Sequence, residues 1–109
     1  MIAHLLNRNL GIERREEIAD GGGGHSITWL PAGTVRGRRS QPTSTERESG
    51  DQHGADLTDV VYLPPGADVH RGDRLLDGAE VLEVLATYSP SVAKYLRADC
   101  RSRDREEEA

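Results

Sequence analysis

Apolar and polar residues alternate along the first part of the chain. Leu10 and Ile12 fall on one face of an extended segment, and the same face becomes polar at Arg14 and Glu16. A period of two predicts a β-strand, and its polar second half indicates a half-buried or edge strand. The glycine run at residues 21–24 predicts a hairpin connection, because glycine adopts positive φ without steric cost.

Short apolar segments bounded by turn residues predict the remaining strands. Ser26 to Leu30 is rich in strand formers, and Pro31 is expected to bend or stop that strand because it donates no ladder hydrogen bond. An extended pattern resumes from Thr34 to Arg38. Further short strands follow at residues 60–63, 75–76, 81–86 and 95–100, with an Asp-Gly hairpin signal at residues 77–78. Five or six short strands without a long helical pattern predict an all-β fold, a small barrel or sandwich.

Two segments lack the apolar residues that a core element needs. Every residue from Ser40 to Asp56 is polar, Gly, Ala or Pro, which predicts a long polar loop. Residues 102–109 form a charged C-terminal tail that we expect to be disordered. The predicted organisation is therefore a single domain over residues 1–101, with the long loop at 40–56, followed by the tail.

Composition indicates a thin core. The 109 residues include no Phe, one Trp and three Tyr, so aliphatic side chains must supply most of the buried surface. A domain of this size is only marginally stable by itself. Such a chain gains from neighbours that cover its apolar faces, which favours a subunit of an assembly.

Charge and cysteine usage exclude several functional classes. The formal net charge of −5 does not favour free nucleic acid as a target. The single cysteine, Cys100, forms no internal disulfide and no thiol-based zinc site, and a reducing cytoplasm suits it. No apolar stretch approaches the length of about 20 residues that a membrane-spanning helix needs, so we expect no membrane partner.

Candidate chemical motifs are weak. The four histidines (His4, His25, His53, His70) show no metal-ligand spacing, and the glycine run lacks the Lys-Ser/Thr of a phosphate-binding loop. No Ser lies in a nucleophile elbow. The tripeptide Arg71-Gly72-Asp73 occurs in cell-adhesion ligands, but here a turn is the better interpretation. We therefore predict no enzyme, no catalytic residue, no metal and no cofactor.

A small basic cluster precedes the polar segment. Arg36 and Arg38 share one face of an extended strand, and Arg39 follows them. Charged residues at a strand edge protect it from stray pairing. The functional alternative is contact with DNA phosphates or with an acidic neighbouring subunit in a ring.

The order of these features resembles the head-closure (stopper, or head–tail joining) proteins of tailed bacteriophages. The resemblance covers most of residues 4–101 and rests on order and spacing. Its most specific parts are Arg71–Leu75 and the hairpin Asp77–Val84. The other matching segments are residues 4–8, 11–15, 27–29, 35–38, 44–46, 59–63 and 96–100. Ala79-Glu80 departs from the family pattern, which often has an aromatic residue there.

The resemblance implies a structural virion protein of the phage neck, assembled in the host cytoplasm. Such proteins are compact β-barrels that form a cyclic ring, expected here as a hexamer, below the portal and adaptor ring. The ring closes the DNA channel after packaging and docks a tail-terminator or tail-tube protein. The matching channel loop of this chain lies at residues 40–56 and carries Glu46, Arg47, Glu48, Asp51, Gln52 and His53. The alternative that remains open is a monomeric small β-barrel that binds nucleic acid.

Overall fold

The alternating N-terminal segment pairs with the segment after the glycine run in one long hairpin. A computed structural model describes residues 6–43, 57–92 and 94–104. Its first two strands are β1 (Arg8–Ala19) and β2 (His25–Ser40). Their antiparallel pairing begins with Arg8 opposite Gly37 and ends with Ala19 opposite His25. This confirms the hairpin predicted at the glycine run.

Pro31 does not stop the strand, because β2 continues through it, but an irregularity of the strand lies there, as the alternative of a bend predicted. Gly11 lies opposite Thr34 and Glu13 lies opposite Pro31, so β2 has one more residue than β1 between these pairs. This extra residue makes a bulge, in which Gly33 takes a φ of +106°. A bulge interrupts the ladder locally, so the missing proline N–H costs little there.

Four shorter strands complete the fold: β3 (Asp59–Leu63), β4 (Arg74–Asp77), β5 (Glu80–Tyr88) and β6 (Leu96–Asp104). Gly78, with a φ of +63°, begins the tight turn between β4 and β5, as the Asp-Gly pair predicted. In the described ranges the regular elements are strands alone, which confirms the all-β prediction. No helix there is long and apolar enough to cross a membrane.

Every strand of the sheet has two neighbours over part of its length. The order is β1-β2-β3-β6-β5-β4, and pairing of Gly11–Glu13 in β1 with Arg74–Leu76 in β4 closes the barrel. Beyond Glu13, β1 pairs with β2 alone. The end of the hairpin therefore extends past the barrel wall.

The predicted domain boundary at residue 101 is three residues short. Ser102, Arg103 and Asp104 continue β6 and pair with the first residues of β5. The expectation that disorder begins at residue 102 is therefore wrong for residues 102–104. Residues 105–109 lie outside the described part of the chain.

The core is aliphatic, as the composition indicated. Its fully buried members include Leu10, Val61, Leu63, Leu75 and Leu82. Gly37 allows β2 to approach the barrel interior closely, because a Cβ there would lie 2.9 Å from Leu10 Cδ1 and 3.1 Å from Leu63 Cδ2. Burial of these side chains on the inner face of a closed sheet supplies the main stabilisation of the domain.

Different features occupy the two ends of the barrel. At one end β2 finishes at Ser40 and β3 begins at Asp59, so the polar segment leaves and returns there. At the other end lie the projecting end of the hairpin and the turns before β4 and after β5. These two ends are the places where functional residues can be sought.

Candidate functional site: the arm and the charged barrel end

A two-stranded arm extends from the barrel. We define the arm as residues 14–30, in which the outer parts of β1 and β2 pair only with each other among the described residues. Three large apolar side chains on the arm are exposed to solvent: Ile18, Ile27 and Leu30. The polar second half of the N-terminal strand, noted in the sequence, has its cause here, since no barrel wall faces it.

Asp20 orders the tip of the arm. Its Oδ1 accepts hydrogen bonds from the backbone N–H groups of Gly22 (2.8 Å) and Gly24 (3.1 Å). The Asp20 N–H also donates to the Gly24 carbonyl at 3.1 Å. Gly21 and Gly23 have positive φ, which explains the glycines. The tip is thus a hydrogen-bonded turn, more ordered than its composition indicated.

Arg14 and Asp73 join one face of the arm to the barrel. Arg14 Nη2 donates to Asp73 Oδ2 at 2.9 Å, and Arg14 Nε donates to Asp73 Oδ1 at 3.2 Å. Arg14 also contacts the Asp68 carboxylate (3.3 Å) and donates to its carbonyl oxygen (3.0 Å). These carboxylates, Asp73 first, raise the pKa of Arg14 above its ordinary value. The Asp68 pKa is lowered by His70 and then by Arg14.

Arg74 and Trp29 join the opposite face. The Arg74 guanidinium carbon lies 3.8 Å from the centre of the Trp29 ring, a cation–π contact. Arg74 Nη2 also lies 3.1 Å from Glu13 Oε1. Asp73 and Arg74 are therefore adjacent residues that bind the two faces of the arm.

The turn at residues 71–73 has a structural role. Asp73 is buried and accepts the His70 N–H at 2.9 Å, which agrees with the predicted turn. The Gly72 N–H donates to the Val84 carbonyl and the Val84 N–H donates to the Asp73 carbonyl, both at 2.9 Å, so the turn is fixed to β5. A carboxylate with 5% exposed side chain is not displayed as an adhesion ligand.

An open groove lies beside the base of the arm. Its lining combines apolar and charged side chains from the arm and from the neighbouring strands. It includes Ile27, Trp29, Arg74, Leu85 and Arg103. Such a mixed lining suits a protein surface better than a small apolar ligand.

A charged cluster covers the opposite barrel end. Arg39 donates to Asp59 (2.8 Å), Asp77 (3.1 Å) and Glu80 (2.7 Å), which come from three different strands or strand ends. Arg8 reaches the same Asp77 carboxylate at 3.0 Å. The hydrogen bonds to Glu80 and then Asp59 and Asp77 raise the pKa of Arg39. The Arg39 and Ser102 hydrogen bonds lower the Glu80 pKa to about 2.

The three arginines of the predicted basic cluster separate into two sets. Arg36 and Arg38 point outward on the same face, as predicted, while Arg39 points to the carboxylates at the barrel end. Arg36 donates to the Leu6 carbonyl (3.1 and 3.2 Å). No carboxylate of the described ranges pairs with Arg36 or Arg38. The predicted channel residues (Glu46, Arg47, Glu48, Asp51, Gln52, His53) lie outside the described residues.

The described residues provide no site for metal binding or for thiol chemistry. No group of three or more His, Cys, Asp or Glu side chains there could hold a metal ion. Cys100 is buried in the core, and desolvation raises the pKa of its thiol. A thiol in that environment is unreactive.

A model of the phage head completion protein family matches residues 1–103. The chain belongs to this family. The resemblance to head-closure proteins is thereby confirmed at family level, and membership gives the chain a structural role in the head or neck of a phage-type particle. The matched residues include the barrel, the arm and the polar segment.

Solved structures share the fold of this head completion protein. The solution structure of SF1141 from Shigella flexneri 2a has a TM-score of 0.72 at 20% identity, covering 88% of this chain and 91% of that one. A chain in the virion of a native gene transfer agent particle has a TM-score of 0.60 at 24% identity, covering 91% and 94%. No curated protein matches the chain.

Proposed function

We propose that this head completion protein forms a cyclic ring in the neck of a tailed phage, below the portal and adaptor. In this position it closes the DNA channel after packaging and docks the tail-terminator or tail-tube protein. The family match over residues 1–103 carries the proposal. The fold supports it, since a closed barrel with an arm at one end and a long polar segment at the other offers separate surfaces for neighbours and for the channel.

We assign the closing of the channel to the polar segment at residues 40–56. Residues 40–56 carry Glu46, Arg47, Glu48, Asp51, Gln52 and His53, and a ring of expected sixfold symmetry brings several copies of them together. Weak contacts between copies then act at high effective concentration. Carboxylates at the channel repel the DNA backbone, while pairing between Arg47 and acidic residues of neighbouring copies holds the segments together.

The barrel end from which this segment leaves is well suited to support it. Arg39 binds Asp59, Asp77 and Glu80, so the residues flanking the segment are joined to the turn between β4 and β5. Pro42 and Leu57, close to its two ends, are buried. We infer that Arg39 fixes the base of the segment, while Arg36 and Arg38 remain for contact with a neighbouring subunit or with DNA.

The alternative, a monomeric barrel that binds nucleic acid, has less support in the described residues. Base stacking needs exposed aromatic rings along a basic groove. Tyr62 and Tyr95 instead pack edge to face, with their ring centres 5.4 Å apart. Tyr88 is exposed, but Arg97 lies over its ring at 5.6 Å.

Electron microscopy of particles carrying this protein tests the location. We expect density for a ring on the channel axis between portal and tail. A protein found only as a free monomer, with no density at the neck, would show that the proposal is wrong and would favour the nucleic-acid alternative.

Replacing the channel segment tests the closing role. In one variant residues 44–56 are replaced by a short Gly-Ser linker, and in a matched control they are replaced by a Gly-Ser segment of the original length. We expect the short variant to assemble but to lose packaged DNA, measured as the fraction of DNA-filled heads. If the length control retains DNA, filling of the channel is sufficient, whereas leakage from both shows that the charges matter. Normal DNA retention in both variants would refute the closing role.

A further inference from the structure

The arm has the properties of a surface that another protein covers. A two-stranded antiparallel ribbon is only marginally stable in water without a third strand or a packed face. Yet Ile18, Ile27 and Leu30 on the arm are 45%, 52% and 43% exposed. Since the described part of the barrel leaves both faces of the arm beyond Arg15 uncovered, a partner surface is needed to bury these side chains.

The outer arm, the part of the arm beyond Arg15, carries acidic side chains. Glu16, Glu17 and Asp20 lie at or near the tip, and all three are exposed. Of these, Glu17 pairs with Arg15 at 2.9 Å, and Asp20 accepts the N–H groups of the turn. The Glu16 carboxylate has no cation partner in the described ranges. A partner that carries exposed cations would complement this surface.

A matching basic surface lies at the other end of the same strand. Arg36 and Arg38 are exposed on the outer side of β2, on either side of the buried Gly37. As stated above, neither pairs with a carboxylate of the described ranges. Guanidinium groups bind carboxylates well, with two parallel hydrogen bonds where the geometry permits.

The two surfaces of one molecule are too far apart to meet. Thr28, opposite Glu16, and Arg38 belong to one extended strand. Ten residues of strand span roughly 33 Å at about 3.3 Å per residue. Contact between the acidic arm and these arginines therefore requires two molecules.

We propose that the arm of one copy lies on the Arg36–Arg38 face of the next copy in the ring. The Glu16 carboxylate lies on the same face of the arm as Ile18 and Leu30, and this face meets the two guanidinium groups, so that the neighbouring barrel covers Ile18 and Leu30. The contact joins different surfaces of two copies, so it repeats head to tail and can close a ring. This inference rests on the proposed ring and names the surfaces that build it.

Charge reversal tests the contact in assembled particles. E16R reverses the charge on the contacting face of the arm, and R36E/R38E reverses the charge on the arginine face. The matched control R71E/K94E makes the same change in net charge as R36E/R38E at two exposed cations outside these surfaces. E17R is the matched control for E16R, because it makes the same change on the opposite face of the arm. The measurement is the number of copies retained per purified particle, with circular dichroism to verify that each variant folds.

We expect each reversal alone to reduce the retained copies at least about tenfold, because like charges at an interface are strongly unfavourable. Both controls should retain the wild-type number. Combining both reversals in one chain should restore retention, and so should co-expression of the two variants, since each then provides the charge that the other lacks.

The possible failures are distinguishable. If each reversal alone leaves the copy number unchanged while wild-type density lies at the neck, the arm contact is wrong and the proposed function stands. If both reversals lose copies and neither combination restores them, the two surfaces bind other components and the contact between copies is refuted. If wild-type protein is absent from the neck, the ring proposal fails and this inference fails with it.

Discussion

Removal of the Asp73 carboxylate should detach the arm before it unfolds the barrel. The Asp73 side chain is 5% exposed and accepts hydrogen bonds from Arg14 Nη2 (2.9 Å), Arg14 Nε (3.2 Å) and the His70 N–H (2.9 Å). In D73A the His70 N–H loses its acceptor and Arg14 loses its principal anion. The arm then keeps the exposed contacts of Arg14 with Asp68 and, on its other face, the contact of Trp29 with Arg74.

The expected loss follows from these three hydrogen bonds. His70 is an exposed residue, so water can reach its N–H, and losing this hydrogen bond costs about 0.5–1.5 kcal/mol. The Arg14 side chain is 39% exposed, so solvent screening limits its pair with Asp73 to about 1 kcal/mol. The total for D73A is about 1.5–2.5 kcal/mol, a large share of the stability of a small domain. D73N should lose about half as much, because its amide oxygen still accepts one hydrogen bond.

Urea unfolding followed by two probes measures this loss. Trp29 is the only tryptophan of the chain and lies at the base of the arm, so its fluorescence reports the arm, whereas circular dichroism reports all strands. In D73A we expect the fluorescence transition to occur at lower urea than the circular dichroism transition, as local detachment predicts. R14A combined with D73A should show a coupling free energy of about 1 kcal/mol.

D68A is the matched control for D73A. The Asp68 carboxylate also binds Arg14, but its side chain is 68% exposed. Its removal should have a much smaller effect, and the two transitions should remain together. Equal losses in D68A and D73A, or no coupling between Arg14 and Asp73, would show that the pair does not hold the arm.

Three further predictions concern the barrel. G37A should destabilise the fold by about 1–3 kcal/mol, because its Cβ would lie 2.9 Å from Leu10 and 3.1 Å from Leu63. A Cβ at Gly11 would lie 3.5 Å from Leu76, an ordinary contact distance, so G11A should lose clearly less stability in urea unfolding. The Glu80 pKa is lowered to about 2, so the contribution of its carboxylate to folding stability is complete above pH 4.5 and is lost as the pH falls toward 2. The free energies of unfolding of wild type and E80Q, measured by thermal unfolding, should differ by less than about 1 kcal/mol at pH 7 and converge near pH 2. A difference that stays constant with pH would contradict the assignment. Cys100 should react with a thiol reagent at pH 8 only when the domain unfolds, and rapid labelling of the native protein would contradict its burial.

Local patterns in the sequence were sufficient to predict the strands and turns. The alternation at Leu10 and Ile12, the glycine run and the Asp77-Gly78 pair each predict an element that the structure contains. The choice between a bend and a stop at Pro31 depends on the bulge at Gly33, which sequence spacing does not reveal. The sequence pattern does not predict the strand at residues 102–104, because backbone pairing with β5 needs no apolar side chain.

The candidate site was predictable only where local geometry decides it. Strand alternation was enough to place Arg36 and Arg38 on one face. The partners of Arg39 are 20 residues away at Asp59, 38 at Asp77 and 41 at Glu80. Such pairs depend on the order of strands around the barrel, which no local pattern specifies.

The arm itself shows the same limit. The polar second half of the N-terminal strand predicted an edge or half-buried strand, but not a projection beyond the barrel. Recognising the projection requires knowing that β4 pairs with β1 only at Gly11–Glu13. The Arg14–Asp73 pair spans 59 residues of sequence and has no local signal either.

The closed barrel explains why recognition by this protein is expected at its ends. Closure of the barrel gives every strand two neighbours over part of its length, which limits the strand edges left for pairing with another molecule. In the proposed ring, the arm and the polar segment extend beyond the wall, and the arm meets the Arg36–Arg38 face of the next copy. Asp73 and Arg74 hold the arm on the barrel, and Arg39 joins the strand ends that flank the polar segment. Changes at the outer arm should therefore alter assembly with little effect on folding, whereas changes at these anchoring residues should alter both.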